Sequence, residues 1–465
     1  MSSPLVLVMA AGEGTRMRSS LPKMLHPVCG RAMVAWPVLA AREAGAGSVA
    51  AIVSPGRDLS SGLPEGVEIV VQPEADGTGG AIRSALPQIR EAETVVVLSG
   101  DHPLISATDI SGLLDAHAAS GAAATMLTIE LDDPGSYGRV VRGPGGEVER
   151  VVEAKAAGDA NASELEIGEI NAGTYAFDAA PLAEALEGLS NDNAQGEYYL
   201  TEVFAALREA GLAVAGHRTD EIAVTMGVND RLQLAEVEEL GRRRILDDLM
   251  RSGVTVVDPA STWVDAGVEV AADARLEPGT SLRGATSVGE GSVIGPLSTL
   301  IDSEIGAGVE IPHSYLVECR VADSCRVGPF AYLRPGAALG EGAKAGTFVE
   351  VKNSNIGEGA KVPHLAYVGD AEVGAGSNVG AGTITANYDG FRKHRTVIGK
   401  GARIGVDTML IAPVEVGDSA YTGAGTVVQE DVPEGSLAVS QNEQRNIEGY
   451  ADRKAAESKQ EEDAS

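Results

Sequence analysis

The sequence predicts an α/β domain with a mostly parallel sheet, followed by a parallel β-helix built from hexapeptides. Short apolar stretches near the N-terminus alternate with helical patterns, which is typical of a parallel sheet with helices on its faces. Between residues 287 and 428 an aliphatic residue, often followed by Gly, returns about every six positions. This period holds over several consecutive repeats and favours a stacked β-helix over a Gly- and Val-rich sandwich, which has no fixed period.

Composition and charge limit the functional classes. The chain has 465 residues, enough for two or three domains, with 44% hydrophobic and 22% charged residues. Aromatic residues make up only 4% and there are 58 glycines, which suits a long aliphatic core better than one large globular core. The net charge of -31 disfavours nucleic acid as a main partner, because binding phosphate backbones needs a basic surface. We interpret the acidity as a source of solubility.

The cysteines and the N-terminus indicate the compartment. Cys29, Cys319 and Cys325 form no CxxC pair, and three cysteines give no disulfide framework, so a reducing cytoplasm is expected. The apolar run at residues 5–9 has no basic region before it and is too short for a signal peptide or a membrane span. No later segment is predicted to enter a membrane.

The first predicted strand, residues 5–9, leads into a Gly-rich turn that reads Ala-Ala-Gly-Glu-Gly-Thr-Arg-Met. Such a turn can bring backbone N–H groups close to a phosphate. It lacks the third glycine of a dinucleotide fingerprint and the Gly-Lys-Ser/Thr of a Walker loop, so an ordinary strand-to-helix turn remains an alternative. Arg16 and Lys23 suit a triphosphate, although each side chain alone could be a solvated surface charge.

Further elements of the α/β domain place its site. A second strand, 94–98, ends in Ser-Gly-Asp, a helical pattern covers 33–44, and ligands of such sheets bind where the strands end. Residues 230–250 predict one helix that joins the domains, with the basic run 242–244 on a solvated face.

The repeat region has a simple physical basis. Each short strand points one aliphatic side chain inward, small residues tolerate the tight corners, and stacking buries a column that one coil could not bury alone. Polar residues are densest between 334 and 388, and His364 falls between inward positions. The predicted inward residues are Val321, Val327, Leu333, Leu339, Ile356, Val362, Val368, Ile398, Ile404, Leu410, Val416, Thr422 and Val428.

The run Met-Ala-Ala-Gly-Glu-Gly-Thr-Arg-Met at 9–17, with Leu-Pro-Lys at 21–23, resembles the signature of sugar-1-phosphate nucleotidyltransferases. With the hexapeptides behind it, nearly the whole chain resembles the bifunctional N-acetylglucosamine-1-phosphate uridyltransferase/glucosamine-1-phosphate acetyltransferase family. We therefore expect a Rossmann-like nucleotidyltransferase (pyrophosphorylase) domain at 1–229 and a linker helix at 230–250. A left-handed β-helix acetyltransferase domain is expected at 251–450, and a disordered polar tail at 451–465.

The resemblance implies uridylyl transfer from UTP to N-acetylglucosamine 1-phosphate, with Mg²⁺ held by Asp101 and Asn229. Each residue also has a structural alternative: Asp101 could cap a turn, Asn229 could cap the next helix, and Glu153 could be a charge at a strand edge. Gln72 with Gly77-Thr78 resembles the family's uracil-reading segment, and Gln can pair with both a donor and an acceptor on a base edge. The motif NAQGEYYLT at 193–201 and the run Tyr137-Gly138-Arg139 match the family too. The expected contacts of UTP and UDP-N-acetylglucosamine are Met9, Ala10, Ala11, Gly12, Arg16, Lys23, Gln72, Gly77, Thr78, Ser99, Gly100, Gly138, Glu153, Asn171 and Asn229.

For the β-helix the resemblance implies acetyl transfer from acetyl-CoA, with His364 as general base, a role that suits a neutral imidazole near neutral pH. The sugar phosphate would contact Arg334, Lys352, Tyr367 and Asn378. Acetyl-CoA would contact Ala381, Asn387, Tyr388, Val406, Ala424 and Gln441, with the Ala381 N–H facing the developing oxyanion. Arg392 and Lys393 are expected near the phosphates of coenzyme A. Val406 and Gln441 depart from the Ser and Arg of the family, although Arg445 could replace the lost charge.

The expected protein is thus a cytoplasmic two-site enzyme that makes UDP-N-acetylglucosamine for the cell wall. By resemblance it is a homotrimer with the acetyl site between subunits, its partners are small-molecule substrates, and nucleic acid and membrane insertion are not expected. Two alternatives stay open. One is a sugar-1-phosphate nucleotidyltransferase for another sugar, and the other is a single-activity nucleotidyltransferase whose β-helix is a trimerising scaffold.

Overall fold

The computed structural model describes residues 3–152, 154, 160–192, 196–440 and 444–462. Glu153, Gln441 and the first part of the NAQGEYYLT motif, 193–195, lie outside these residues. The chain divides into two units, which are described separately. One comprises Met1–Arg251 with Trp263–Val268, and the other comprises Ser252–Thr262 with Glu269–Ser465.

The first unit is built on a sheet with parallel central strands, as predicted. Leu5–Met9 lies between Thr94–Ser99 and Ser48–Val53, and all three run in the same direction. The full order is Val214–Arg218, Ala124–Glu130, Glu169–Asp178, Thr94–Ser99, Leu5–Met9, Ser48–Val53 and Glu68–Val71. Glu169–Asp178 is antiparallel to both of its neighbours. Arg139–Arg142 pairs with Glu169–Asp178 and with Val148–Val152, and Pro27–Val28 pairs with Arg31–Ala32.

Both faces of this sheet are covered, because alternate residues of the central strands are apolar on each side. Leu5 and Leu7 pack into one hydrophobic cluster, and Val6 and Val8 pack into another. The covering helices are Ala35–Glu43, Thr78–Arg83, Leu86–Ile89, Ala107–Ser120, Ala162–Leu165, Ala179–Glu187, Glu202–Glu209 and Arg231–Arg251, with 3₁₀ turns at Thr15–Met17, Lys23–Leu25, Ser60–Gly62 and Ile222–Thr225.

The helix predicted at 230–250 is present at Arg231–Arg251 and belongs to the first unit. Its basic run is not simply a solvated face, because Arg242 and Arg244 contact residues outside the helix, whereas Arg243 pairs within it, with Asp247. The Arg242 guanidinium lies 4.4 Å from the centre of the Trp263 ring, and Arg244 donates to the backbone oxygen of Leu104 at 2.6 Å. Arginine stems pack on apolar surface and their planar heads stack on rings, which a polar sequence pattern does not show.

The second unit is a parallel β-helix of the left-handed hexapeptide class, as predicted. Its short strands form three parallel sheets, each strand pairing with the equivalent strand of the next coil. Sheet one comprises Thr255–Val256, Arg275–Leu276, Val293–Ile294, Glu310–Ile311, Arg326–Val327, Lys344–Thr347, Lys361–His364, Asn378–Val379, Arg403–Ile404, Tyr421–Thr422 and Leu437–Ala438. Sheet two includes Ser281–Arg283, Thr299–Ile301, Tyr315–Val317, Tyr332–Leu333, Glu350–Lys352, Tyr367–Gly369, Ile384–Ala386, Met409–Ile411 and Val427–Val428. Sheet three comprises Glu269–Val270, Ser287–Val288, Glu304–Ile305, Arg320–Val321, Ala338–Leu339, Asn355–Ile356, Ala371–Val373, Thr396–Ile398 and Val414–Val416.

Every predicted inward residue of the β-helix is buried. Arg275 pairs with Val293, and Lys344 pairs with Lys361, so one coil takes about 18 residues, or three hexapeptides. One coil is longer, because Asn378 pairs with Arg403. The additional residues form a loop at 387–395, in which Tyr388 and Lys393 make an antiparallel bridge.

Other expectations have mixed outcomes. The three cysteines are buried and free, so the expected lack of disulfides is confirmed. None of the helices in the described parts of the chain combines the length and apolar character that crossing a membrane requires. The tail differs from the expected disorder, because Tyr450–Glu462 forms a helix whose described side chains are exposed. Ala, Glu, Lys and Gln have high intrinsic helix propensity, which outweighs the lack of an apolar face in this segment.

Two candidate active sites

The Gly-rich turn of the first unit holds Lys23 against the candidate metal ligands. Gly14 has a φ of +64°, and a Cβ there would lie 2.5 Å from the Cβ of Lys23, so glycine is needed at this position. Lys23 is buried, and its Nζ donates to Asp101 Oδ2 at 2.7 Å and to Asn229 Oδ1 at 3.1 Å. Arg16 donates to the same Asn229 oxygen at 3.2 Å. Four residues chosen from distant parts of the sequence therefore lie together.

Asp101 and Asn229 suit a hard divalent cation. Because both oxygens contact the single Lys23 Nζ, one small cation can reach both. Burial acts to raise the pKa of the Asp101 carboxyl, but the charges of His102 and Lys23 oppose it, and the pKa lies below its ordinary value. Mg²⁺ favours carboxylate and amide oxygens and completes its shell with water and phosphate. The described residues contain no cluster of three or more His, Cys, Asp or Glu suited to a metal, so such an ion would depend on this pair and on substrate.

The suggestion that Asn229 caps the following helix is wrong. Asp230 is the capping residue, since its Oδ1 accepts from the backbone N–H groups of Leu232 at 2.9 Å and Gln233 at 3.0 Å. The Asn229 side chain is therefore directed to Arg16 and Lys23 instead of the helix. Sequence alone could not separate two adjacent residues that both cap helices well.

Two adjoining clefts open at the carboxyl ends of the central strands, where the sequence predicts a ligand. The first has a volume of about 320 Å³, and the predicted residues that line it are Met9, Ala11, Gly12, Gln72, Gly77, Thr78, Ser99 and Asp101. The second has a volume of about 360 Å³, and those that line it are Met9, Thr78, Ser99, Gly138 and Asn171. Because Met9, Thr78 and Ser99 line both, the clefts can hold two joined parts of one ligand.

Other predicted positions support these clefts from behind. Ala10 is buried and its N–H donates to Ile52 O at 2.8 Å, while the Gly100 N–H donates to Met9 O at 2.9 Å. Tyr137 lines the second cleft. Arg139 is buried and donates to three backbone oxygens of the preceding loop, those of Pro134, Gly135 and Tyr137. Its guanidinium therefore fixes the loop that presents Tyr137 and Gly138.

Gln72 differs from its predicted chemistry. The side chain is buried, and its Nε2 donates to Asp76 Oδ1 at 2.8 Å and to Gly77 O at 3.2 Å. A primary amide has two N–H groups, so both donors are engaged within the protein. Gln72 can therefore offer only its oxygen to a base, and not a donor and an acceptor together as the sequence suggested.

The structure adds three residues that the sequence did not assign to the site. Glu197 lines both clefts, and Tyr199 and Thr201 line the second. All three belong to the NAQGEYYLT motif, which matches the family but does not by itself predict individual contacts. The Tyr198 N–H donates to Asp76 O at 2.7 Å, and the Gly79 N–H donates to Tyr198 O at 2.7 Å. The motif thus forms one wall of both clefts.

In the second unit, charged side chains gather on sheet two. Arg334 donates to Glu350 Oε1 at 2.8 Å, and Lys352 Nζ lies 3.7 Å from Asp370 Oδ2. Glu350 is paired in register with Tyr367 in the next coil. Three of the four predicted sugar-phosphate residues therefore share one face, whereas the fourth, Asn378, lies in sheet one beside Lys361.

Lys393 joins this cluster. The nearby Lys352 ammonium lowers the pKa of Lys393, because two like charges lie close together. Asn387 donates to Asp370 Oδ2 and lies 3.5 Å from the Tyr367 hydroxyl. Lys393 therefore lies with Lys352, a location that favours a sugar phosphate over the coenzyme A phosphates predicted for it. Two adjacent ammonium groups are a suitable environment for a phosphate dianion.

His364 and three of the six predicted acetyl-CoA residues share one corner of the β-helix. Thr347 pairs with His364, and Lys361 pairs with Asn378, which in turn pairs with Arg403 and then Tyr421. Carrying this register three residues onward places Ala381, Val406 and Ala424 at successive coils after His364. Asp407 N–H to Ala381 O at 2.7 Å, and Gly425 N–H to Val406 O at 2.8 Å, fix the stack.

The residues at this corner change from large and apolar to small along the β-helix. Leu297, His313, Phe330, Phe348 and Leu365 all have positive φ, between +45° and +59°, and the apolar members are exposed. The rings of Phe330 and Phe348 stack at 5.4 Å. Beyond His364 the residues next to the corner are smaller, as at Gly382 and Gly425. A bulky apolar ridge is therefore followed by a narrow open track.

The 387–395 loop connects Ile384–Ala386 of sheet two to Thr396–Ile398 of sheet three. Asp389 Oδ1 accepts from the backbone N–H groups of Phe391 and Arg392, and its Oδ2 lies 2.7 Å from His394 Nε2. These hydrogen bonds lower the pKa of Asp389 to about 2. Tyr388 is exposed, so of the two predicted acetyl-CoA residues here only Asn387 is held inside the cluster. Arg392 is exposed as well.

The α/β sheet and the Gly-rich turn that carries Arg16 are typical of a nucleotidyltransferase. Residues 6–141 match the MobA-like NTP transferase domain. Curated relatives extend over the whole chain. It is 46% identical to "Bifunctional protein GlmU" of Corynebacterium efficiens, covering 97% of this chain and 94% of that protein. It is 47% identical to the protein of the same name from Streptomyces avermitilis, with the same coverage, and 46% identical to that of Brevibacillus brevis, covering 97% and 98%. The chain belongs to the GlmU family.

Proposed function

We propose that this protein makes UDP-N-acetylglucosamine in two steps. The second unit transfers an acetyl group from acetyl-CoA to glucosamine 1-phosphate, and the first unit joins the product to a uridylyl group from UTP, releasing pyrophosphate. The observation that carries the proposal is that each unit gathers its own set of distant polar residues. Lys23, Asp101, Asn229 and Arg16 meet in the first unit, and Arg334, Lys352, Tyr367 and Asn387 gather on sheet two in the second.

In the first unit the chemistry needs positioning and charge neutralisation. The sugar phosphate oxygen attacks the α-phosphorus of UTP, and the bond to pyrophosphate breaks. Arg16 and Lys23 offset the negative charge of the phosphates, and the adjoining clefts hold nucleotide and sugar in line. Asp101 and Asn229 would hold Mg²⁺, which supplies further positive charge at the phosphates. No side chain is needed as a base, because a phosphate oxygen is already anionic.

In the second unit His364 accepts a proton from the 2-amino group as the amine nitrogen attacks the thioester carbon. The C–S bond breaks, the coenzyme leaves as its thiol after protonation, and the acetyl group stays on nitrogen. The Ala381 N–H, one coil away on the same corner, faces the developing oxyanion. Arg334, Lys352 and Lys393 bind the phosphate, which holds the amino group at the His364 edge. Neighbouring coils are about 4.8 Å apart, so His364, Ala381, Val406 and Ala424 give an extended coenzyme a track of about 15 Å.

A homotrimer would complete the second site. The apolar ridge at Leu297, Phe330, Phe348 and Leu365 ends next to His364 and exposes large side chains in a backbone conformation that such residues rarely adopt. A second copy packed on this ridge would bury it and form the missing wall beside His364. The product, a precursor for the cell wall, would be made in the cytoplasm.

The direct test is to assay both reactions with the purified chain. Thiol release from acetyl-CoA that depends on glucosamine 1-phosphate would establish the acetyl transfer. Pyrophosphate release from UTP that depends on N-acetylglucosamine 1-phosphate and Mg²⁺ would establish the uridylyl transfer. A folded protein that releases pyrophosphate but no thiol would make the β-helix a scaffold, and one that uses only other sugar phosphates would overturn the substrate assignment.

A further inference from the structure

Asp76 stands directly behind the base-recognition residue of the first unit. Its Oδ1 accepts from Gln72 Nε2 at 2.8 Å, and its Oδ2 lies 3.2 Å from an Arg83 nitrogen. Gln72 lines the first cleft, whereas Asp76 does not. Any influence of Asp76 on a nucleotide must therefore act through the Gln72 amide.

The orientation of that amide follows from chemistry. A carboxylate and a backbone carbonyl can only accept hydrogen bonds, so the Gln72 atom facing Asp76 and Gly77 must be the NH₂ nitrogen. The opposite assignment would direct the amide oxygen at two acceptor oxygens, with no hydrogen bond between them, and turn both N–H donors into the cleft. Gln72 Oε1 is thus left for the cleft, as a pure acceptor.

The surroundings are shaped to keep Asp76 in this place. A Cβ at residue 80 would lie 1.9 Å from Asp76 Oδ1, so only glycine at this position leaves room for the carboxylate. The Arg83 guanidinium lies 4.0 Å from the centre of the Tyr198 ring, and the Tyr198 N–H donates to Asp76 O at 2.7 Å. Asp76, Gly80 and Arg83 therefore form one arrangement next to Gln72.

We infer that Asp76 is a positioning residue that sets the base specificity of the uridylyl reaction, by holding Gln72 with its oxygen towards the base. This inference rests on the proposed function. Uracil carries a donor at N3, which an acceptor can bind, whereas cytosine carries an acceptor at N3. A locked oxygen therefore pairs with uracil and opposes the ring nitrogen of cytosine, and buried polar groups left unpaired are an effective source of discrimination.

Asp76→Asn is the most informative substitution. Arg83 is a donor only, so it draws the oxygen of the introduced amide, and the amide nitrogen must then face Gln72. Gln72 would rotate and present Nε2 to the base. We expect the ratio of kcat/KM for UTP over CTP to fall about tenfold, the effect of one hydrogen bond of ordinary strength, mainly through KM. Gly80→Ala, which displaces the carboxylate without removing it, should change the ratio in the same direction.

Modified nucleotides identify the atom that is recognised. With the unaltered protein, N3-methyl-UTP lacks the donor and should be a poor substrate, whereas 4-thio-UTP keeps N3–H and should remain a good one. Asp76→Asn should reduce the penalty for N3-methylation, because the N3 donor is no longer being read. If the unaltered protein had the same kcat/KM for UTP and for N3-methyl-UTP, the inference would be overturned.

Two controls separate a change in the orientation of the Gln72 amide from a general loss of order around it. Arg83→Met removes the ion pair but leaves the bond between Asp76 and Gln72, so the UTP to CTP ratio should stay within about twofold. In a Gln72→Leu background, Asp76→Asn should not change the ratio further, because the two residues act as one unit. A changed ratio in Arg83→Met, or an additive effect in the double variant, would contradict the inference.

The two levels of failure are distinguishable. If the unaltered, folded chain releases no pyrophosphate from UTP, the proposed function itself fails. If it does so and Asp76→Asn discriminates between UTP and CTP as before, only the role of Asp76 fails. Thermal unfolding of each variant would show that its fold is retained.

Discussion

The two candidate sites differ in how much of their enclosure one chain supplies. In the first unit Lys23 already donates hydrogen bonds to both Asp101 and Asn229, and Lys23 is only 7% exposed. In the second unit His364 lies exposed on a corner of the β-helix, and its neighbour Leu365 is 61% exposed. A doubly covered sheet can build a closed cleft between its own loops, whereas a β-helix has only convex faces and corners to offer.

This difference explains how the polar groups are held. The strand ends of the first unit bring distant segments together, so Lys23 has its partners, Asp101 and Asn229, far along the chain. The β-helix instead repeats one register, so its functional residues follow one another at intervals of one coil. Such a site gains its length from stacking, and its depth must come from an inserted loop or a second copy.

The largest expected effect is at the exposed site. His364→Ala should lower the rate of acetyl transfer by about 10²- to 10⁴-fold, because it removes the proton acceptor. Uridylyl transfer should not change. The measurement is thiol release and pyrophosphate release from the same preparation, with Lys361→Ala on the same strand as a control that keeps both rates. An acetyl-transfer rate unaffected by His364→Ala would remove His364 from the mechanism.

The next effect is at the enclosed site. Asp101→Asn should lower uridylyl transfer at least about a hundredfold, since even outer-shell groups change metal affinity about 10- to 100-fold. The Mg²⁺ concentration for half-maximal pyrophosphate release should rise, while acetyl transfer stays the same. Asp115→Asn, on a helix of the same unit, is the matched charge control. An unchanged Mg²⁺ dependence would mean that Asp101 only orients Lys23.

The fold was predictable because its signals are periodic. Each residue from Val321 to Val428 that the hexapeptide phase assigned to the inside is buried, since a β-helix repeats one environment at every coil. The helix at Arg231–Arg251 was predicted from its imperfect apolar face, but the Arg242 contact with Trp263 was not. That contact joins residues far apart in sequence, and a polar pattern carries no information about it.

The sites were predictable only in part, because motifs name positions and not their partners. The meeting of Arg16, Lys23, Asp101 and Asn229 follows the motifs. The direction of the Gln72 amide depends on Asp76, which the family signature does not include, so its hydrogen bonding was predicted wrongly. The location of Lys393 beside Lys352 was not predicted for a similar reason, since charge alone does not show where the loop places its side chains.

A smaller effect tests whether the second site needs another copy. Phe348→Glu places a charge in the exposed stack with Phe330, so we expect the trimer to dissociate and acetyl transfer to fall about tenfold, since burying an unpaired charge is costly. Uridylyl transfer, complete within one unit, should remain. Analytical ultracentrifugation gives the assembly state, with Val257→Glu as an exposed control. A monomer with full acetyl transfer would show that the site is complete in one chain.

The smallest effect concerns the departure at Val406. Its side chain is 48% exposed on the open track, and its backbone oxygen already accepts from Gly425 N–H at 2.8 Å, so the corner is fixed whatever the side chain. Val406→Ser should therefore lower the KM for acetyl-CoA by no more than about fivefold, the effect of one hydrogen bond of about 1 kcal/mol, and leave kcat unchanged. Val406→Ala, which removes bulk without adding a hydroxyl, should not show this gain. A large change in kcat for the serine variant would mean that residue 406 touches the reacting groups. The reaction would then take place closer to residue 406 than its separation of two coils from His364 implies.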